Sequence, residues 1–80
     1  MYLEIITPDK KVFEGEINLV QLPGSKGSFT MLKNHAPIIS TLAMGTIKVQ
    51  DVSGKEYFFN ITGGVVENAA NKVIVLVESA

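Results

Sequence analysis

Lys72-Val73-Ile74-Val75-Leu76-Val77-Glu78 is the stretch whose reading decides the fold. Five apolar residues stand between two charges, and four of the five are β-branched, which favours a strand because branched side chains lose little extra freedom on a pleated surface. Alternation along a strand puts Val73, Val75 and Val77 on one face and Ile74 and Leu76 on the other. Both faces are therefore apolar, whereas an antiparallel strand with one solvated face should alternate apolar and polar. Tyr57-Phe58-Phe59 and Val65-Val66 break alternation in the same way. Two explanations stand open. The strand lies in a closed barrel with its outer residues simply exposed, or its outer face is covered by a partner subunit. A slip of one residue exchanges the faces, so the inward one is not decided by the sequence.

The same chemistry runs through the chain. Nine Val, eight Ile and five Thr make 22 β-branched residues in 80, and the glycines fall almost wholly between apolar runs, where turns need positive φ. The pattern predicts strands over 2–7, 12–16, 17–22, 28–31, 38–42, 46–52, 55–62, 64–68 and 72–78. Pro8-Asp9-Lys10-Lys11 reads as a turn, with proline suited to the second turn position. Ser53-Gly54 predicts a two-residue hairpin, and Ala69-Ala70-Asn71 links the last two strands. No segment has convincing 3.6-residue periodicity, apart from a short helical turn allowed near 33–36. The fold class expected is all-β: a flattened sandwich or barrel of about nine to ten short, mostly antiparallel strands. A parallel sheet would need crossovers of about a dozen residues or more, for which there is no room. With no repeat, linker or low-complexity tract, residues 1–80 read as a single domain.

Composition narrows the function. A chain of 80 residues buries somewhat over about 60% of its extended surface, enough for one core with little margin. There is no cysteine, hence no disulfide framework and no thiolate ligand or nucleophile, which fits a reducing compartment. The formal charge is −1 and all seven basic residues are lysine, so the chain has no planar guanidinium for phosphate or base recognition; nucleic acid is an unfavoured partner. No apolar run reaches the roughly 18 to 20 residues that span a bilayer as a helix, so membrane association is expected only through another protein. Tyr2-Leu3-Glu4-Ile5-Ile6-Thr7 reads as a strand, not as a signal peptide.

The candidate site is the loop from Gly24 to Pro37, the longest segment without clean periodicity and the one that holds the only histidine. Catalysis has little support. His35 would need Asp9 or Asp51 and a serine, and no serine has nucleophile-elbow spacing. One histidine and scattered carboxylates make a poor metal set. Gly24-Ser25-Lys26-Gly27 lacks the spacing and following helix of a phosphate loop and reads as a lysine-tipped surface turn. His35 is either a loop histidine satisfied by nearby backbone or a polar interface contact shaped by Ala36-Pro37. Asn60-Ile61-Thr62 matches a glycosylation sequon but lies in a predicted strand and is set aside.

Taken in order, these residues resemble a known family. Gly24-Ser25-x-Gly27, then His35-Ala36-Pro37, Gly45, Thr62-Gly63-Gly64-Val65-Val66-Glu67 and Asn71-x-Val73-x-Val75-Leu76 are similar to the epsilon subunit of the F-type ATP synthase, over essentially the whole chain. The resemblance implies a flattened β-sandwich and a non-catalytic place in the rotor, bound to the gamma subunit and resting on the c-subunit ring, so that proton flow is coupled to ATP synthesis. It implies a peripheral position on the cytoplasmic face of the bacterial inner membrane and no cofactor. Thr7, His35, Ala36, Pro37 and Ser40 would face gamma, and Gly24, Ser25, Lys26, Gly27 and Ser28 the ring. Family members often carry acids where this chain has Lys26 and Ser28, a complement to basic ring loops; the chain departs there. It also stops at Glu78-Ser79-Ala80, where a C-terminal helical hairpin would begin. A naturally short subunit is the expectation, a truncated longer one the alternative, and in either case this polypeptide should lack hairpin inhibition and ATP binding. The competing reading is a small β-sandwich module that binds a ligand or protein through the 24–37 loop.

Overall fold

The computed structural model describes residues 1–80 and contains eight strands and no helix. They are β1 (Tyr2–Ile6), β2 (Lys11–Gly24), β3 (Gly27–Leu32), β4 (Ile38–Leu42), β5 (Gly45–Asp51), β6 (Glu56–Ile61), β7 (Gly64–Ala69) and β8 (Lys72–Val77). Eight replace nine because the segments read as 12–16 and 17–22 are one strand of 14 residues. The apolar phase does break there: Ile17 and Val20 are both buried, three residues apart. A register shift against β5 between Ile17 and Leu19 restores it. An extra residue in one strand opposes none in its partner and bends the strand without ending it.

That long strand joins two layers. Its first half pairs antiparallel with β1, while its second half lies between β3 and β5, and Gly24 at its end meets Leu42 of β4. β1 pairs in parallel with β8, and β8-β7-β4 continues antiparallel. One layer is thus β1-β8-β7-β4 and the other β3-β2-β5-β6, with β6 outermost. All pairings but β1–β8 are antiparallel.

The layers enclose one core of 15 residues, including Leu3, Ile5, Val20, Leu22, Met31, Ile47, Val49, Val66, Val73 and Val75, all fully buried. At the seam between β2 and β6, Phe13 closes on Tyr57 and Phe59 in edge-to-face contacts at 5.2 and 5.9 Å, the geometry that aromatic quadrupoles favour.

The turns differ from expectation in two places. Ser53-Gly54 belongs to a four-residue loop between Asp51 and Glu56, not a two-residue hairpin. The Asp51 carboxylate makes the longer loop stable: Oδ1 accepts from the Ser53 amide (2.9 Å), the Ser53 hydroxyl (2.6 Å) and the Lys55 amide (3.0 Å), and Oδ2 from the Tyr57 hydroxyl (3.1 Å). A two-residue hairpin does join β7 and β8, where Ala70 (φ 52°) and Asn71 (φ 62°) are both left-handed, as a type I′ turn requires. Residues 33–36 form a turn closed by the His35 amide on the Leu32 carbonyl at 3.1 Å, with no helix.

Candidate functional site

The register settles which face of β8 points outward. Val73, Val75 and Val77 are core; Leu76 is 52% exposed and Ile74 half-buried. Across the layer Leu76 lies between Ile6 of β1 and Val65 of β7, with Thr41 of β4 beyond. In the next row Ile74 lies between Glu4 and Glu67, with Ile39 beyond. Ile39 is 75% and Val65 39% exposed. Five apolar side chains from four adjacent strands therefore share one outer face, a patch rather than isolated surface residues.

Paired charges fence one side of it. Glu4 meets the Lys11 ammonium at 2.6 Å and the Lys72 ammonium at 3.5 Å, and Lys11 reaches Glu14 at 3.2 Å. The Tyr2 hydroxyl donates to the Glu14 carboxylate. The Lys11 bond, ahead of other effects, holds Glu4 below the usual carboxylate range. Glu14 is held down first by the Tyr2 hydroxyl and then by Lys11. The same bond to Glu14 pushes the Tyr2 phenol up to about 12.

His35, Ala36 and Pro37 are exposed and form a corner ahead of β4. His35 Nδ1 lies 2.8 Å from its neighbour's carbonyl, Ala36 O. A carbonyl only accepts, so Nδ1 carries the hydrogen and the neutral ring keeps Nε2 as a free acceptor. Here the structure gives His35 the nearby backbone partner that was one of its two sequence readings. Asn68 Nδ2 donates to the carbonyls of His35 and Ala36, each at 3.3 Å, and the Asn34 amide donates to Asn71 Oδ1 at 3.4 Å. Asn68 was not singled out from the sequence, and Asn71 figured there only in the last turn and in the family motif. A polar residue in the apolar phase of Val66-x-Asn68 was the available signal.

Thr7 follows β1 at the other end of the face and is sewn into its own turn, its amide and hydroxyl both donating to Lys10 O at 2.8 and 3.0 Å. Ser40 alternates to the side of β4 opposite Ile39 and Thr41, and its hydroxyl donates to the Thr41 carbonyl at 3.2 Å. Thr7, His35 and Ser40 are thus spread around the apolar layer and do not form a cluster.

Gly24–Ser28 is a hairpin tip with only Ser25 and Lys26 between paired Gly24 and Gly27. A Cβ on Gly24 would stand 2.6 Å from Gly27 O and 2.7 Å from Phe29 Cε1, so nothing larger fits. The tip is fastened to β4 by the Ser25 amide on Thr41 O (3.0 Å) and the Thr41 hydroxyl on Ser25 Oγ (2.9 Å). Between tip and strand lies an open groove of about 600 Å³ that includes Ser25, Lys26, Ser28, Phe29, Ile39 and Thr41. Ile39 and Thr41 belong to the apolar face and the groove alike, so the two surfaces are continuous. No group of three or more His, Asp or Glu side chains converges as a metal set would.

A two-layer β fold with an exposed apolar face, a polar corner and a hairpin tip presents a candidate docking surface on a small β-sandwich domain. The profile of the ATP synthase delta/epsilon chain β-sandwich domain matches residues 1–80, and the chain belongs to that family. It is 44% identical to the ATP synthase epsilon chain of Desulfatibacillum aliphaticivorans over 98% of its own length and 55% of that protein's. It is 43% identical to the epsilon chain of Chlorobaculum tepidum over 95% of its length and 86% of that protein's. The chain thus spans little more than half of the first relative and most of the second. Its fold is that of a chain in the Euglena gracilis mitochondrial ATP synthase structure of OSCP, F1 and c-ring (TM-score 0.89, 22% identity, 96% of this chain and 49% of that one). A chain in the Tetrahymena thermophila central stalk and c-ring structure is also similar (TM-score 0.78, 23% identity, 96% and 62% covered).

Proposed function

We propose that the chain is a non-catalytic central-stalk subunit of a proton-translocating F-type ATP synthase, linking the gamma shaft to the c-subunit ring. One observation carries the reading: a member of this family presents a continuous surface made of the apolar β1-β8-β7-β4 face, the His35-Ala36-Pro37 corner and the Gly24–Ser28 tip. The apolar face and the corner meet gamma, with Thr7 at the margin and Ser40 on the reverse side of β4; the tip meets the polar loops of the ring. An apolar centre with a polar, wetter edge is the ordinary anatomy of a protein interface. Lys26 makes no salt bridge within the chain and suits a ring loop that offers carboxylates or carbonyls.

Function as a coupler follows from stiffness. Two layers joined through one bent strand, with packed faces and short turns, leave little freedom for torque to be lost in deformation. The chain sits at the membrane through the complex, on the cytoplasmic face of a bacterial inner membrane. Purified gamma, alone and assembled with the c ring, tests this directly. Stable co-elution at micromolar concentration is expected, with the ring adding affinity; a folded chain that ignores both refutes it.

A further inference from the structure

We propose that Asn68 is a positioning residue that holds the His35-Ala36-Pro37 corner, and the His35 ring within it, in the shape that meets the partner. This rests on the reading of the corner as part of the gamma-facing surface.

Asn68 is the one buried polar residue, 2% exposed, at an inward position of β7. Val73 faces it across β8 and Ile38 across β4. Its Oδ1 is buried with no partner. A buried acceptor left unpaired is a penalty that an apolar side chain of the same shape would avoid. Packing alone therefore favours valine or leucine here, as in the neighbouring core. What an apolar residue would lose is the pair of Nδ2 hydrogens, both directed at consecutive carbonyls of the corner, His35 O and Ala36 O, at 3.3 Å each.

Ala36 O is the point through which Asn68 acts on His35. The same carbonyl accepts from Asn68 Nδ2 and from His35 Nδ1, at 2.8 Å. Fixing that oxygen fixes the tautomer and direction of the imidazole and leaves Nε2 free to accept outward. The corner has two other ties, the His35 amide on Leu32 O and the Asn34 amide on Asn71 Oδ1 at 3.4 Å. Both hold its entry, at left-handed Asn34 (φ 67°). Asn68 is the residue outside the corner whose side chain holds the carbonyls after that point.

The test compares the 80-residue chain with Asn68→Leu by NMR and by calorimetric titration with purified gamma. The variant should change its thermal midpoint little, since removing the unpaired Oδ1 offsets two bonds whose acceptors sit on exposed residues that water can reach, while the His35 and Ala36 amide signals shift and broaden. The His35 ring nitrogens should move from a single Nδ1–H tautomer toward the mixture of a free histidine. Gamma affinity should fall about tenfold, the cost of ordering the released corner again on docking. Unmoved corner and ring signals, or equal affinity, would overturn the proposal. If the unmodified chain does not bind gamma, the proposed function fails, and the corner signals of the variant still decide whether Asn68 holds the corner. Asn68→Val, matching Val66 and Val73, replaces the leucine variant if the larger side chain prevents folding.

Discussion

Leu76→Glu and Val75→Glu, one residue apart on β8, separate docking surface from core. Leu76 is 52% exposed in the free chain, so about half of its burial energy remains for a partner, roughly 1 kcal/mol of the 1.5–3 kcal/mol for a whole leucine. A carboxylate there loses that gain and must be desolvated on docking, a penalty of several kcal/mol unless a cation meets it. Allowing for water at the interface edge, the net loss is about 2–4 kcal/mol, or roughly 30- to 1,000-fold in affinity for gamma. The free chain should lose only about 1 kcal/mol of strand preference, a fall of roughly 4–8 °C in thermal midpoint. Val75 is fully buried, and an unpaired charge there costs about 3–5 kcal/mol or more. An 80-residue chain has only about 4–12 kcal/mol to lose. Circular dichroism melts and calorimetric titration with gamma read both effects. The reasoning is refuted if Leu76→Glu unfolds the chain as Val75→Glu does, or if it binds gamma as tightly as the unmodified chain.

Gly24→Ala should lower stability by about 1–3 kcal/mol, since the new Cβ overlaps backbone at Gly27 O as well as the Phe29 ring; an unchanged denaturant midpoint would contradict the tight hairpin. Ala70→Gly should raise stability by up to about 1 kcal/mol, because the left-handed strain of about 1–2 kcal/mol at φ 52° exceeds the entropy glycine gives up; a lower thermal midpoint would argue against the type I′ turn. Glu4, Glu14 and Asp51 are all held below the usual carboxylate range, so their contribution is complete above an ordinary pKa of about 4 and lost as pH falls through the lowered values. Thermal midpoints should be level from neutral to about pH 5 and fall below it, with a smaller fall in Glu4→Gln. The raised Tyr2 phenol has the opposite sign: its contribution is present below its ordinary pKa of about 10 and lost as pH rises through about 12, a loss that Tyr2→Phe should remove.

Much of this was legible because the strands carry dense apolar patterns. β8 and β7 fall within about a residue of their sequence bounds, since runs such as Val73–Val77 leave no competing reading. β2 was read as two strands because a bulge and a strand break look alike in one dimension. The Ser53 loop was misjudged because Asp51, weighed only as a possible partner of His35, ties three donors from that loop. The outward face of β8 depended on register, which only the pairing with β1 and β7 supplies. Both corners of the candidate surface lay in the loop flagged for its glycines and histidine. The asparagines that hold one of them lie more than 30 residues further on, where only the folded chain brings them together.

The absence of cysteine allows the most direct test of the docking face. Single cysteines at Leu76 and at Phe58, which is 61% exposed on the other layer, can be labelled with a thiol reagent before and after assembly with gamma and the c ring. Leu76→Cys should become protected while Phe58→Cys stays reactive. Protection of Phe58→Cys with Leu76→Cys left open would place the partner on the wrong layer and contradict the docking face assigned here.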